Sequence, residues 1–147
     1  MIADEIGKFF RGEVYFDGAT LEKYSEDASI FEVKPEMVVA PRDVEDLKNL
    51  VKFANAVKKK GRNISLTARS GGTDMSGGPL NESIIIDFTA HFNRIKEVGD
   101  GYAVVEPGVF YRDFERETLA SGRQIIPSYP ASREICTVGG MVANNSA

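Results

Sequence analysis

The sequence predicts an α+β fold, on three observations. Short apolar runs of strand length are separated by turn-forming residues. Two longer stretches repeat apolar residues at helical spacing. An Asp-Gly pair, Asp100-Gly101, sits between two strand-like runs, a strong hairpin signal. A chain of 147 residues is long enough for one domain with its own core. The expected order is β-α-β-β-β-β-α, preceded by a polar, helix-prone lead-in over residues 1–30. Apolar points in that lead-in fall at Ile6, Phe9, Phe10, Leu21 and Tyr24.

Residues 37–40 read as the first strand of the main body, ended by Pro41. Asp43 suits the N-cap of the following helix, with Asp46 three places on as an approximate capping-box partner. Val44, Leu47, Val51 and Ala54, joined by Leu50 and Val57, give that helix an apolar face. Residues 64–67 and 84–88 read as the next two strands. Three consecutive isoleucines in the latter imply burial on both faces. Residues 95–98 and 102–106 form the hairpin. A last helix carries Phe110, Phe114 and Thr118 on one face, with Leu119 beside it and Gly122 at its end.

Composition excludes several classes of function. The formal charge is −4, from 18 basic and 22 acidic residues, which argues against a nucleic-acid surface. The basic run at residues 58–62 closes a helix, where lysines offset the macrodipole and Gly61 suits the C′ position; a phosphate or nucleic-acid patch is the alternative. One cysteine and one histidine exclude an internal disulfide and a Cys/His metal site. A Ser–His–Asp arrangement would need His91, which stands in a polar connector away from the glycine-rich segments. No apolar stretch approaches the ~18 residues of a membrane span, and no export signal opens the chain. A reducing cytoplasm is the expected compartment.

Two loops carry the chemistry. The first, ARSGGTDMSGGPL, begins at Ala68 and lies between strand-like runs. Glycine lets a backbone approach another group closely and adopt positive φ. Successive free N–H groups in such a turn make a concave anion site, usually for phosphate. A plain interstrand turn is the alternative. Gly72 and Gly77 have P-loop spacing, but Gly78-Pro79 replace the lysine and hydroxyl. No G-x-G-x-x-G string opens a helix. The second loop, PSYPASREICTVGGMVANNSA, begins at Pro127 and again combines prolines, hydroxyls and paired glycines.

Together these loops resemble the FAD-binding domain of the vanillyl-alcohol oxidase / p-cresol methylhydroxylase superfamily, and within it the glycolate oxidase subunit and D-lactate dehydrogenase group. The segments VVAPRDVEDLKNLVKFA and VVEPGVFYRDFERETLASG match the family's opening strand–helix and its connecting strand–helix. The resemblance covers roughly residues 30–147. It implies a PCMH-type domain of two small α/β subdomains, over residues 31–147 and truncated at its C-terminal side. It also implies that this is the N-terminal piece of a longer protein.

The resemblance further implies FAD. Main-chain N–H groups of Ser70, Gly71, Gly72, Thr73 and Asp74 would meet the diphosphate. Thr73 and Ser76 would add hydroxyls, and Gly77 with Gly78 would turn the chain back. Arg69 would either neutralise the diphosphate or brace the loop. Many relatives carry glycine where this chain has Asp74, whose carboxylate should turn away and cap the loop. In the second loop Pro130 and Ser132 would approach the flavin. Thr137, Val138, Gly139 and Gly140 would pack on the cofactor, and Ala143, Asn144 and Asn145 would lie along it; a packed helix start after Thr137 is the alternative. Thr73 stands where some relatives attach FAD through histidine, so attachment should be non-covalent. Cys136 reads as a packed residue, the alternative being a flavin nucleophile. His91 reads as a surface residue or a ligand contact.

The reaction implied is oxidation of a 2-hydroxy acid, of D-lactate or glycolate type, by hydride transfer from C2 to flavin N5, with an unspecified electron acceptor. The base, the carboxylate-binding arginine and any metal ligands would lie beyond residue 147, so no catalytic or metal residue is assigned. Another branch of the superfamily, of sugar-lactone oxidase or enolpyruvyl reductase type, and a non-catalytic nucleotide-binding module are the alternatives. The isolated chain should bind FAD weakly or not at all.

Overall fold

The structure, a computed structural model, describes residues 2–146. The chain divides into two compact units, and the division falls inside the first glycine-rich loop. One unit holds the chain up to Arg69 together with Asp74–Asp87; the other holds Ser70–Thr73 and the chain from Phe88 onward.

The first unit is a four-stranded sheet with three helices. Its elements are α1 (Ile2–Ile6), β1 (Glu13–Tyr15), α2 (Gly18–Lys23), β2 (Met37–Ala40), α3 (Val44–Lys59), β3 (Leu66–Arg69) and β4 (Ile84–Asp87). The order is β1-β2-β4-β3; β2, β4 and β3 are parallel, and β1 pairs antiparallel with β2. The lead-in is therefore not helical throughout, because Glu13–Tyr15 aligns with Val38–Ala40 as an edge strand. All four residues of β2 and of β4 are buried, as strands flanked on both sides require.

Strand β3 begins two residues later than the sequence suggests. Ile64 is buried but precedes the strand, and pairing with β4 sets the register at Leu66 opposite Ile84. In α3 the cap is as read: the Asp43 carboxylate accepts from the N–H groups of Glu45 (2.9 Å) and Asp46 (3.0 Å). The buried stripe is Leu50, Ala54 and Val57, whereas Val44 and Val51 are exposed. Asp46 does not close a capping box. Its side chain is fully buried and accepts from Arg11 N (3.2 Å), Arg11 Nε (3.1 Å) and Arg42 N (3.1 Å). A buried carboxylate persists only with such partners. Gly61 follows the helix with φ of 83°, as its C′ position demands.

The second unit contains β5 (Ile95–Gly99), β6 (Tyr102–Val105), α4 (Tyr111–Gly122) and α5 (Val138–Ala143). The hairpin turns at Asp100-Gly101, where Gly101 has φ of 79°. Its core joins Val109, Tyr111, Phe114, Cys136 and Met141, with Ile95, Ala103, Val105, Ile126 and Val138 packed against them. Leu119, beside that face, is exposed; Gly122 is the last residue of α4, and Arg123 after it takes the left-handed conformation.

Candidate functional site

The connection from β3 to β4 is the glycine-rich first loop. Parallel neighbours cannot be joined by a tight hairpin, so a long excursion is obligatory here. Within it, Gly72 and Gly77 have φ of 67° and 81°. Among the described residues, no hydrogen bond uses the main-chain N–H of Ser70, Gly71, Gly72 or Thr73. Gly71 is exposed and Ser70, Gly72 and Thr73 are half-buried, so these four donors are open to water or to a ligand, whereas buried N–H groups are paired within the protein.

Within the second unit, the Ser70–Thr73 part of the first loop meets the second loop. A Cβ on Gly71 would lie 2.5 Å from the Ile135 carbonyl oxygen and 3.4 Å from the Cys136 Cα. Main chain thus rests on main chain, and only glycine fits.

The rest of the first loop is shaped by its own side chains. The Asp74 carboxylate turns onto the loop and accepts from Ser76 N (3.1 Å), Ser76 Oγ (2.7 Å) and Gly78 N (2.8 Å). Ser76 therefore directs its hydroxyl to Asp74. Arg69 lies over the Tyr24 ring, 5.1 Å from its centroid, and donates to the Tyr24 carbonyl at 3.3 Å. Burial of this guanidinium pulls its pKa below the usual arginine value. The Tyr24 hydroxyl donates to Asp87 at 3.0 Å, and desolvation, reinforced by the Asp87 charge, raises its pKa.

In the second loop Thr137 caps α5, its hydroxyl accepting from Gly140 N at 3.3 Å. The N–H of Val138 donates to Val109 O (2.9 Å) and that of Gly139 to Pro107 O (2.9 Å). A Cβ on Gly139 would stand 2.5 Å from Pro107 Cβ and 2.7 Å from its carbonyl oxygen. The helix start named as the alternative role is thus present at Thr137. At the far end Asn145 is left-handed (φ 49°), with Asn145 N bonded to Val142 O and Ser146 N to Met141 O. That is a Schellman closure, in which asparagine serves in place of glycine. Ala143 and Asn144 are exposed beside it. Pro130 and Ser132 are half-buried in a turn that closes through Arg133 N to Pro130 O and Cys136 N to Ser132 O.

Four residues that sequence reasoning passed over hold this loop. Arg133 pairs with the buried Glu115 of α4 and lies over the Tyr129 ring. Tyr129 stacks on Tyr111, whose hydroxyl donates to Ile126 O at 3.1 Å. Burial pushes the Tyr111 phenol up to about 12. The i, i+4 spacing of Tyr111 and Glu115 was the available signal. Cys136 lies in the core, 2% exposed, with burial raising its thiol pKa. His91 is half-buried between β4 and β5.

No helix among the described residues is long and apolar enough to cross a membrane. A family model described as FAD binding domain matches residues 35–147. D-2-hydroxyglutarate dehydrogenase of Escherichia coli (strain K12) is 30% identical over 140 residues, covering 90% of this chain and 14% of that protein. Glycolate oxidase subunit GlcD of Bacillus subtilis (strain 168) is 29% identical over 128 residues, covering 84% of this chain and 26% of that protein. The chain thus spans a minor part of the curated relatives it matches. Among solved structures, 4-ethylphenol oxidase from Gulosibacter chungangensis superimposes with a TM-score of 0.74 at 28% identity, over 95% of this chain and 28% of that one. An alkyldihydroxyacetonephosphate synthase superimposes at 0.81 with 19% identity, over 99% of this chain and 31% of that one, a likeness of fold. With its mixed α+β units and a family match over most of its length, the chain belongs to the FAD-binding domain family and has the PCMH-type fold.

Proposed function

We propose that this chain provides the diphosphate-binding part of an FAD-dependent oxidoreductase acting on a 2-hydroxy acid. The observation that carries the reading is the run of four N–H groups at Ser70–Thr73 that are unpaired among the described residues, held against the second loop by Gly71. Such a run suits an anion, because charge-assisted hydrogen bonds are roughly twice as strong as neutral ones. Asp74 fits this reading: its carboxylate accepts from Ser76 and Gly78, so its charge is engaged within its own loop. Arg69, Asp74, Ser76 and Gly77 shape the first loop, while Ser70–Thr73 bind.

In the second loop the N–H groups of Val138, Gly139 and Gly140 are already engaged. Val138, Gly139 and Gly140 therefore contribute surface rather than main-chain donors, and Thr137, buried beneath them, sets the helix start; Pro130, Ser132, Ala143, Asn144 and Asn145 add further surface. Attachment is non-covalent: Thr73 offers no ring nitrogen, and the Cys136 thiol is packed in the core with its pKa raised. When bound, FAD supplies the acceptor for the hydride lost from the substrate's C2 carbon. The chain's own part is to bind and orient it. The substrate class follows from the D-2-hydroxyglutarate and glycolate named for the relatives, both 2-hydroxy acids. Residues 1–30 form a lead-in to an FAD-binding domain at 31–147, and a reducing cytoplasm suits the single thiol.

Two titrations followed by amide NMR test the site. FAD should move the Ser70–Thr73 amide resonances at millimolar concentration, and riboflavin, which lacks the diphosphate, should leave them in place. Equal shifts with both ligands, or none with FAD, would overturn the diphosphate reading. The substrate class is tested on the complete FAD-loaded oxidoreductase that includes this chain, by adding D-2-hydroxyglutarate, glycolate or D-lactate with a dye acceptor; absence of dye reduction with all three sinks the substrate class.

A further inference from the structure

Residues 24–31, where the lead-in runs into the domain, touch the first loop at both of its ends. Arg69 and Asp74 bracket Ser70–Thr73 in the chain. Arg69 is held by Tyr24, through ring and carbonyl, at 5.1 Å and 3.3 Å. Tyr24 is itself tied down through its hydroxyl to Asp87, the last residue of β4. The Asp74 carbonyl accepts from Ala28 N at 3.0 Å. Beyond Asp74, Phe31 lies so close to Gly77 that a Cβ there would stand 3.0 Å from its ring. This segment is closed on itself by Val33 N to Ser25 O at 2.8 Å and by a bridge between Glu26 and Glu32. It behaves as a compact piece rather than a loose tail.

We infer that this segment is a clamp, in which Tyr24 and Phe31 act as positioning residues that pre-set the phosphate-binding amides of Ser70–Thr73. Fixing the residues on either side of a four-residue stretch removes most of the conformations open to it. The entropy of ordering the donors is then spent in folding and not in binding. For its consequence on FAD affinity the inference rests on the function proposed above; the clamp itself does not.

Order parameters from 15N relaxation and FAD titration of the 147-residue protein test it. In the wild type, Ser70–Asp74 should be as ordered as the flanking strands, with S² of about 0.85. Tyr24→Ala should drop these amides below about 0.6 while α3 and β4 stay unchanged. It should also raise the FAD dissociation constant about tenfold, equivalent to ~1.4 kcal/mol. Tyr24→Phe keeps the ring under Arg69 and should restore loop order and bring FAD affinity within about twofold of wild type. Should Tyr24→Ala fail to fold, Phe31→Ala decides, because Phe31 is 54% exposed and not part of the core. Unchanged order at Ser70–Asp74 in the folded variant overturns the clamp, whatever FAD does. Wild-type protein that ignores FAD but loses loop order in the variants overturns the proposed function and leaves the clamp standing.

Discussion

The two glycine-rich loops look alike in sequence and use their glycines for different reasons. In the first, Gly72 adopts positive φ and the N–H groups from Ser70 to Thr73 stay unpaired among the described residues. In the second, Gly139 has no room for a side chain because Pro107 occupies the space, and its N–H is bonded to Pro107 O. One loop therefore holds donors in reserve, and the other has spent them on packing. Gly-Gly in a sequence marks close approach of the backbone without saying to what. The difference predicts that substitutions in the second loop act on stability first, and those in the first loop on binding.

Gly139→Ala should show the largest effect. Its Cβ would meet main chain and ring atoms that cannot move aside, so overpacking should cost about 3 kcal/mol. Urea denaturation checks this, and a loss below about 0.5 kcal/mol would show that Gly139 is not confined by Pro107.

Glu106, between the end of β6 and Pro107, offers the next test. Glu106 is buried, and its carboxylate takes three bonds from the Arg94 guanidinium at 2.8–3.2 Å and one from Arg94 N. The Arg94 hydrogen bonds hold its pKa at about 2, against an ordinary 4.5. A depressed pKa means that the folded state releases this proton more readily than the unfolded one. The stabilisation is complete above pH ~4.5 and is lost as pH falls toward ~2. The difference in unfolding free energy between wild type and Glu106→Gln should shrink by on the order of 2 kcal/mol across that window. A difference independent of pH would remove Glu106 from the support of the second loop.

Local chemistry was legible in the sequence, and long-range partners were not. Asp43 as a cap and Asp100-Gly101 as a turn depend on neighbours in the chain, and both are where the residues put them. The glycines of the first loop were legible for the same reason. By contrast, β3 starts at Leu66 and not Ile64 because Ile84 sets its register. Asp46 reads as a capping residue until Arg11 is seen to bind it across the fold. The engagement of Val138 and Gly139 by Val109 and Pro107 likewise needs the folded chain. Tyr24 read only as an apolar point of the lead-in and Phe31 gave no signal, since their contacts with Arg69 and Gly77 join positions far apart in the sequence.

Thr73→Pro sharpens the contrast from the other side. It deletes one free donor without removing any hydrogen bond found among the described residues, and Thr73 φ is not positive. FAD affinity should fall about tenfold, the worth of one charge-assisted bond, while unfolding free energy changes by less than about 1 kcal/mol. Equal losses in both would show the first loop to be structural, as the second is.

Asp74→Gly should give the smallest change and splits stability from binding by sign. The carboxylate holds Ser76 N, Ser76 Oγ and Gly78 N, so its loss should cost about 1 kcal/mol of stability. The same carboxylate carries a negative charge next in sequence to the proposed phosphate donors. Removing it lowers repulsion toward a diphosphate, but the group is partly solvated and screened, so the gain is at most about threefold in FAD affinity. The gain should fade as salt rises, because screening already weakens the repulsion in the wild type. Titrations at low and high ionic strength read this directly. A loss of affinity at both would mean that the loop geometry set by Asp74 outweighs its charge, and the first loop would then depend on internal bonding as heavily as the second.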